Sequence, residues 1–311
     1  MLEGGLKYIT HLRLTIPCEA MAPPEFDLPP ALPCLRRLAL NNEDFANPAG
    51  HLQVKLYMTS LCHRFFTRKH TRRTGSAARF HLEFYNLAFS KLPRVMNCVH
   101  TVVLRKCTFT GPSQILQFLE AAKFTIRYLE YTHCWIRSLE TLPHTQPLTF
   151  PLLLTLKHYT NESPRQFPIL SILSCPALKS LTIEQEGATL CTVAQYPAIQ
   201  ELCLAKEDFV DVPDADSPLV RDSKQLETLT ISHLYPAVPL PTPSPVLRHY
   251  WDTNLDIYTR SLRRIRIHFH CANGAFEWFE SELRETTNDF ASRGRDIEFE
   301  WINGGDWGIS Y

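Results

Sequence analysis

The sequence predicts an α/β fold made by repetition, a curved parallel sheet to which each of about ten irregular copies of one unit adds a short strand, with helices and loops on the convex side. Three observations predict it. An apolar template at positions 1, 4 and 6 recurs along the chain, its copies are mostly spaced 20 to 27 residues apart, and several are led in by proline.

The template reads Ile9, Leu12, Leu14; Leu35, Leu38, Leu40; Val99, Val102, Leu104; Ile126, Leu129, Tyr131; Leu178, Leu181, Ile183; Ile199, Leu202, Leu204; Leu226, Leu229, Ile231; and Leu262, Ile265, Ile267. Leu82 with Phe84 and Leu153 with Leu156 are degenerate copies. From one position 4 to the next the steps are 26, 44, 20, 27, 27, 25, 21, 27 and 36 residues. Seven of those nine steps fall in the range of a leucine-rich repeat, so a solenoid of that class is expected. Two copies extend to the consensus continuation, with a small residue turning the chain at position 9 and an apolar one re-entering the core at 11: Cys107 with Phe109, and Cys134 with Ile136. Leu38 to Phe45 is also echoed by Leu202 to Phe209, which share a terminal Glu-Asp-Phe. Pro33, Pro151, Pro176 and Pro197 each precede a strand start, where a residue without an N–H and with a fixed φ suits a corner.

The long steps contain helical patterns. Apolar residues over His51 to His70 suit an amphipathic helix, and shorter helices are expected over Ser113 to Phe124, after Gly111-Pro112, and over Gln166 to Leu173. Residues 1–273 are read as the repeat region. Residues 274–311 are read as its terminal cap, with a helix over Gly274 to Arg293 and an alternating strand over Ile297 to Trp301, all in the same continuous domain. Pro236 to Pro245 reads as an extended loop and Asp208 to Asp216 as an acidic one. The first copy starts close to residue 6 without a polar capping segment ahead of it, so another segment or chain is expected to cover that edge.

Composition narrows the function classes. Apolar residues make up 44% of the 311 and charged ones 21%, enough for a core and unlike a disordered chain. Thirty-two basic residues balance thirty-two acidic ones, so no global field favours nucleic acid, an anionic membrane or a polyanionic substrate. No secretory signal or membrane-spanning stretch is read, and the expected location is cytoplasmic or nuclear. Asn161-Glu162-Ser163 is then a chance glycosylation triplet, and the ten singly scattered cysteines are mostly buried thiols.

No nucleophile elbow, P-loop, dinucleotide fingerprint or zincin helix occurs, so no catalytic, cofactor-binding or metal-binding residue is assigned. His268-Phe269-His270-Cys271 lacks further ligands at zinc spacing and reads as the polar face of a strand. Asp208, Asp211, Asp214 and Asp216 lack the glycine and closing glutamate of a calcium loop. The basic run from Arg64 to Arg73 reads as the solvated end of a helix, with nuclear import or nucleic-acid contact as the alternative.

The surface with chemistry to offer is the concave face, where position 5 and its outer neighbours point away from the core. Position 5 along the copies is Arg13, Ala39, Glu83, Val103, Glu130, Lys157, Thr182, Cys203, Thr230 and Arg266. Its charges are mixed, which suits a protein partner better than a nucleic acid. Tyr85, Tyr128 and Tyr159 flank this row at position 3 or 7, and tyrosine is a common interface anchor. The candidate partner-binding residues are therefore Arg13, Glu83, Tyr85, Tyr128, Glu130, Lys157, Tyr159, Arg266 and His268.

The irregular repeats, proline-led strands such as Cys175 to Ile183, and the ending with a helix followed by Ile297 to Trp301 resemble the F-box and leucine-rich-repeat proteins of mushroom-forming fungi. The resemblance spans most of the chain through loose motifs. It implies a repeat region that holds a substrate for a cullin-type ubiquitin ligase, recruited through an F-box ahead of the repeats. No leucine-proline F-box signature is found here, since Phe26 to Pro30 has a different continuation. A stand-alone scaffold or inhibitor without any ligase link is the other expectation.

Overall fold

A computed structural model describes residues 9–16, 35–42, 80–89, 99–137, 147–160, 169–185, 196, 198–205, 225–232, 261, 263–269, 284, 285, 288, 291, 292 and 297–303. The chain divides into two compact units, Met1–Cys175 and Pro176–Tyr311.

In chain order, the first unit contains β1 (His11–Ile16), β2 (Arg37–Asn42), β3 (Phe80–Tyr85), β4 (Ala88–Phe89), β5 (Val99–Arg105), β6 (Thr108–Phe109), α1 (Pro112–Ala122), β7 (Tyr128–Thr132), β8 (Trp135–Ile136), β9 (Leu148–Thr149), β10 (Thr155–Thr160), α2 (Ile169–Ile172) and β11 (Leu173–Ser174). The second contains β12 (Ser180–Gln185), β13 (Glu201–Ala205), β14 (Thr228–Ser232), β15 (Arg264–Phe269) and β16 (Glu298–Asn303). The architecture is α/β with large parallel sheets and few helices among the described residues.

In the first unit the strand order is β1-β2-β3-β5-β7-β10, and in the second β12-β13-β14-β15-β16, so neighbours in sequence are neighbours in space. Register follows the template. Leu12, Leu38, Leu82, Val102, Leu129 and Leu156 stand beside one another in the first unit. Leu181, Leu202, Leu229 and Ile265 do so in the second, and Phe299 extends that row. Every position 4 read from the sequence thus occupies one level of its sheet. The residues of this row from Leu38 to Leu156 are buried, as are Leu181, Leu202 and Leu229. Leu12 and Leu14, on the strand at the end of the order, are half-buried.

The rungs are joined by two further sets of bonds that recur at fixed positions. The carbonyl at position 2 accepts two N–H groups from the next rung: Arg36 and Arg37 donate to Thr10, Leu154 and Thr155 to Arg127, and Gln200 and Glu201 to Lys179. At the far end of the strands, Asn86, Lys106 and His133 all hold positive φ values of 53°, 54° and 47°. All three are position 8. That conformation costs a non-glycine residue about 1 kcal/mol. It aims each N–H at the next rung, so that Asn86 donates to Arg105, Lys106 to Thr132 and His133 to Tyr159 at 2.8 to 2.9 Å. The chain then turns into β4, β6 and β8, which form a small parallel sheet of their own. Cys107 and Cys134 sit buried at this turn, as position 9 requires, and their thiols donate to the carbonyls of Phe84 (3.5 Å) and Leu104 (3.4 Å) one rung back. Burial pushes the Cys134 thiol pKa well up, so it stays protonated as a donor.

The helix expected over Ser113 to Phe124 is α1. Pro112 takes its first turn, where a missing N–H costs nothing, and Ile115, Phe118, Leu119 and Ala122 make the buried stripe. Gly111 has no side chain to cap the helix. Gln114 instead reaches back, its Oε1 accepting from the Thr110 N–H (2.9 Å) and hydroxyl (3.1 Å). Phe124 lies beyond the helix and is exposed. Within Gln166 to Leu173 only Ile169–Ile172 is helical among the described residues, and Leu173 begins β11, which pairs with β9. At Pro151 the chain makes a turn closed by a bond from the Leu153 N–H to the Phe150 carbonyl at 3.4 Å, with proline at its second position. Arg284, Glu285, Asn288, Ala291 and Ser292 are helical, and the strand expected at Ile297 to Trp301 is β16. The His51 to His70 helix, both acidic and proline-rich loops, the basic run, the glycosylation triplet and the boundary at residue 273 lie outside the described residues.

The copy beginning at Leu153 breaks the template because its position 6 is His158. The imidazole is 2% exposed, stacked on Tyr131 with ring centroids 5.8 Å apart. Neither His158 Nδ1 nor the Tyr131 hydroxyl oxygen has a hydrogen-bond partner among the described residues. Burial disfavours the charged ring and lowers its pKa from 6.5 to about 4. Above pH 6.5 the ring is neutral in both folded and unfolded chains. As pH falls from 6.5 towards 4 only the unfolded chain takes up the proton, so stability is lost across that window, by about 3 kcal/mol in all. Replacing His158 with Leu removes the unmet nitrogen and the titration together. Urea denaturation should find the variant as stable as the parent or about 1 kcal/mol more so at pH 7, with a flatter profile between pH 6.5 and 4.

Candidate functional site

Because positions 4 and 6 point to the core, positions 3, 5 and 7 share the opposite face of the sheet. In the first unit these positions build a shallow hollow of about 360 Å³, lined by Arg37, His81, Glu83, Thr101, Val103, Arg105, Tyr128 and Glu130. Four consecutive strands contribute to it: β2, β3, β5 and β7.

Its charges are interlocked. Arg37 Nη2 donates to Glu83 Oε2 at 2.8 Å. Arg105 Nε donates to Glu130 Oε1 at 2.5 Å, while its Nη1 lies 4.0 Å from Glu83 Oε1. Tyr128 donates its hydroxyl to Glu130 Oε2 at 2.9 Å, and Thr132 reaches Glu130 Oε1 at 3.4 Å. His81 Nε2 stands 3.7 Å from Glu83 Oε2, an ion-pair distance but too long for a hydrogen bond. Together His81, Arg37 and Arg105 outweigh the desolvation of Glu83 and hold its carboxyl at about 2, so it is ionised throughout the neutral range. Arg105 is raised above its ordinary value, chiefly by its bond to Glu130. The Tyr128 phenol is raised by burial and then by the Glu130 charge, and it remains a donor.

Three of the nine residues expected on this face, Glu83, Tyr128 and Glu130, meet in the hollow. Arg13 is exposed on β1, in register with Ala39. Tyr85 is half-buried on β3, with Lys106 Nζ 5.9 Å from its ring centroid. Lys157 and Tyr159, both half-buried, stand in register with Glu130 and Thr132. Arg266 belongs to the second unit, where its Nε donates to Glu300 Oε2 at 2.6 Å, one strand across; Arg264 and Glu298 make the same pairing two residues earlier. His268 is on β15, in register with Ser232 and Ile302. The hollow also uses Arg37, His81 and Arg105, which a reading of position 5 alone passes over. Tallying charge at positions 3 and 7 as well would have found them.

Among the described residues no three His, Cys, Asp or Glu side chains are placed to share a metal ion. Of the His268 to Cys271 motif, His270 and Cys271 lie outside the described residues. No helix of the described residues is long and apolar enough to cross a membrane. The chain matches no family model, no curated protein and no solved structure.

Among the described residues Glu130 is the most deeply set carboxylate, its side chain 7% exposed. Removing Arg105 leaves that carboxylate with only hydroxyl donors, a change that costs far more than losing a surface pair. Arg105→Met should lower the urea-unfolding free energy by about 3 kcal/mol, and adding Glu130→Gln should restore at least half of it. Additive losses in that double-mutant cycle would mean that the two groups do not interact.

Proposed function

We propose that this chain is a leucine-rich-repeat protein of the solenoid class, and that it acts without catalysis by holding another protein against the face formed by positions 3, 5 and 7. The observation that carries the reading is the interlocked cluster of Arg37, Glu83, Arg105, Tyr128 and Glu130 on that face. Charges of both signs, held rigidly beside tyrosines and a small apolar floor, are what a protein interface uses for register and for selectivity. A nucleic-acid cradle instead needs a continuous basic stripe, and here each arginine of the cluster is matched by a carboxylate. Recurrence of the same register and the same rung-to-rung bonds at equivalent template positions supports the repeat class.

Under the resemblance to the fungal F-box family, the captured protein is a ligase substrate, and an adaptor of the ligase is a second partner. A scaffold or inhibitor role needs the same face and no adaptor. Both are tested by affinity capture with mass spectrometry. Parent protein should retain at least one partner that is lost when Lys157 is changed to Glu and Tyr159 to Ala, two half-buried residues at the end of the strand order of this unit. An unchanged set of captured proteins would overturn the assignment of this face. Recovery of a cullin-ligase adaptor supports the first role, and its consistent absence supports the second.

A further inference from the structure

We infer that the hollow over Val103 receives one aromatic side chain carrying a hydrogen-bond donor at its tip, a tyrosine or tryptophan presented by a partner protein. This rests on the protein-binding reading above and goes further by naming the chemistry of the anchor.

The first feature of the hollow is its charge balance. Arg37 and Arg105 are set against Glu83 and Glu130, so with the His81 imidazole neutral the cluster sums to zero. A lysine or arginine entering it meets two guanidinium groups, and a carboxylate or phosphate meets two carboxylates. Either meets as many like charges as opposite ones, so its desolvation in a half-desolvated site goes unrepaid. The occupant that fits is neutral.

The second is the floor. Val103 is in register with Glu83 on one side and Glu130 on the other and lines the hollow, so a largely buried apolar side chain sits between the two acidic groups. Thr101 and Tyr128 also line the hollow, and its 360 Å³ is ample for a phenol or an indole. Arg105, with its side chain 44% exposed, offers a cation to the face of a ring.

The third is an open acceptor. Both Glu130 oxygens are engaged, Oε1 by Arg105 and Thr132 and Oε2 by Tyr128. On Glu83, Oε2 takes Arg37, but the Arg105 contact to Oε1 is 4.0 Å, beyond hydrogen-bond reach. An ionised carboxylate with one oxygen waiting calls for a donor. Phenylalanine has the ring without the donor, and serine or glutamine the donor without the ring. Tyrosine and tryptophan have both, and they are among the residues most enriched as interface anchors.

The test uses the full chain with methyl-labelled valine, titrated by NMR with p-cresol and indole, and with toluene and ethylguanidinium as contrasts. The Val103 methyl signals should move saturably with p-cresol or indole, and toluene should bind about ten-fold more weakly or worse, since it forgoes a hydrogen bond to a charged group. Glu83→Gln should shrink the gap between p-cresol and toluene, with the other valine signals reporting that the variant is folded. The contrast is read first in the parent protein, so it stands whether or not that variant folds. Absence of a saturable shift, equal binding of toluene, or preference for ethylguanidinium would each overturn the inference. Were these to occur while capture still depended on Lys157 and Tyr159, the anchor would fall and the binding face would stand. Fragment binding with capture indifferent to those residues would sink the face assignment instead.

Discussion

Each rung of these sheets is incomplete alone. A single strand of five to seven residues satisfies few of its own backbone groups and cannot bury its two inward side chains, so it acquires a fold only when the next rung arrives. The recurrent bonds express this dependence. The carbonyl at position 2 needs the N–H groups at positions 2 and 3 of its successor, and the N–H at position 8 needs the successor's carbonyl at position 7. Positive φ at Asn86, Lys106 and His133 is the local cost of meeting that second requirement.

Register follows from the same constraint, and the surface follows from register. Sliding one strand by a single residue would turn Leu82 and Phe84 outward and bring Glu83 towards the core, so the buried row excludes the alternative. With register set, Arg37, Glu83, Arg105, Glu130 and Lys157 are delivered to one face on successive strands, with alternating sign. Like charges directly opposite one another would destabilise the sheet. The alternation thus serves stability and leaves a face of mixed charge without a net field of one sign.

Much of this was legible in the sequence because one period governs it. The ten position-4 residues each stand at one level of a sheet, and even the interrupted steps of 44 and 36 residues did not hide them. Where legibility failed, the reasons are specific. A template that scores apolar residues marks the copy at Leu153 as degenerate. It does not see that His158 is buried there all the same, its ring stacked on Tyr131 of the neighbouring rung. Left-handed residues usually announce themselves as glycine, and here asparagine, lysine and histidine take that conformation under tertiary constraint. The hollow was half legible. Position 5 yields Glu83 and Glu130, yet Arg37 and Arg105 enter at positions 3 and 7, because side chains that meet across a sheet come from different levels of their strands.

The rungs are joined in this register by bonds at the strand ends as well as along them. Hydrogen exchange at the amides of Asn86, Lys106 and His133 measures this directly, because each N–H sits at a turn and donates to a carbonyl of the next rung. Exchange slowed about a thousandfold or more relative to an unstructured peptide is what the stacked register predicts. Exchange of all three at free-peptide rates would contradict it.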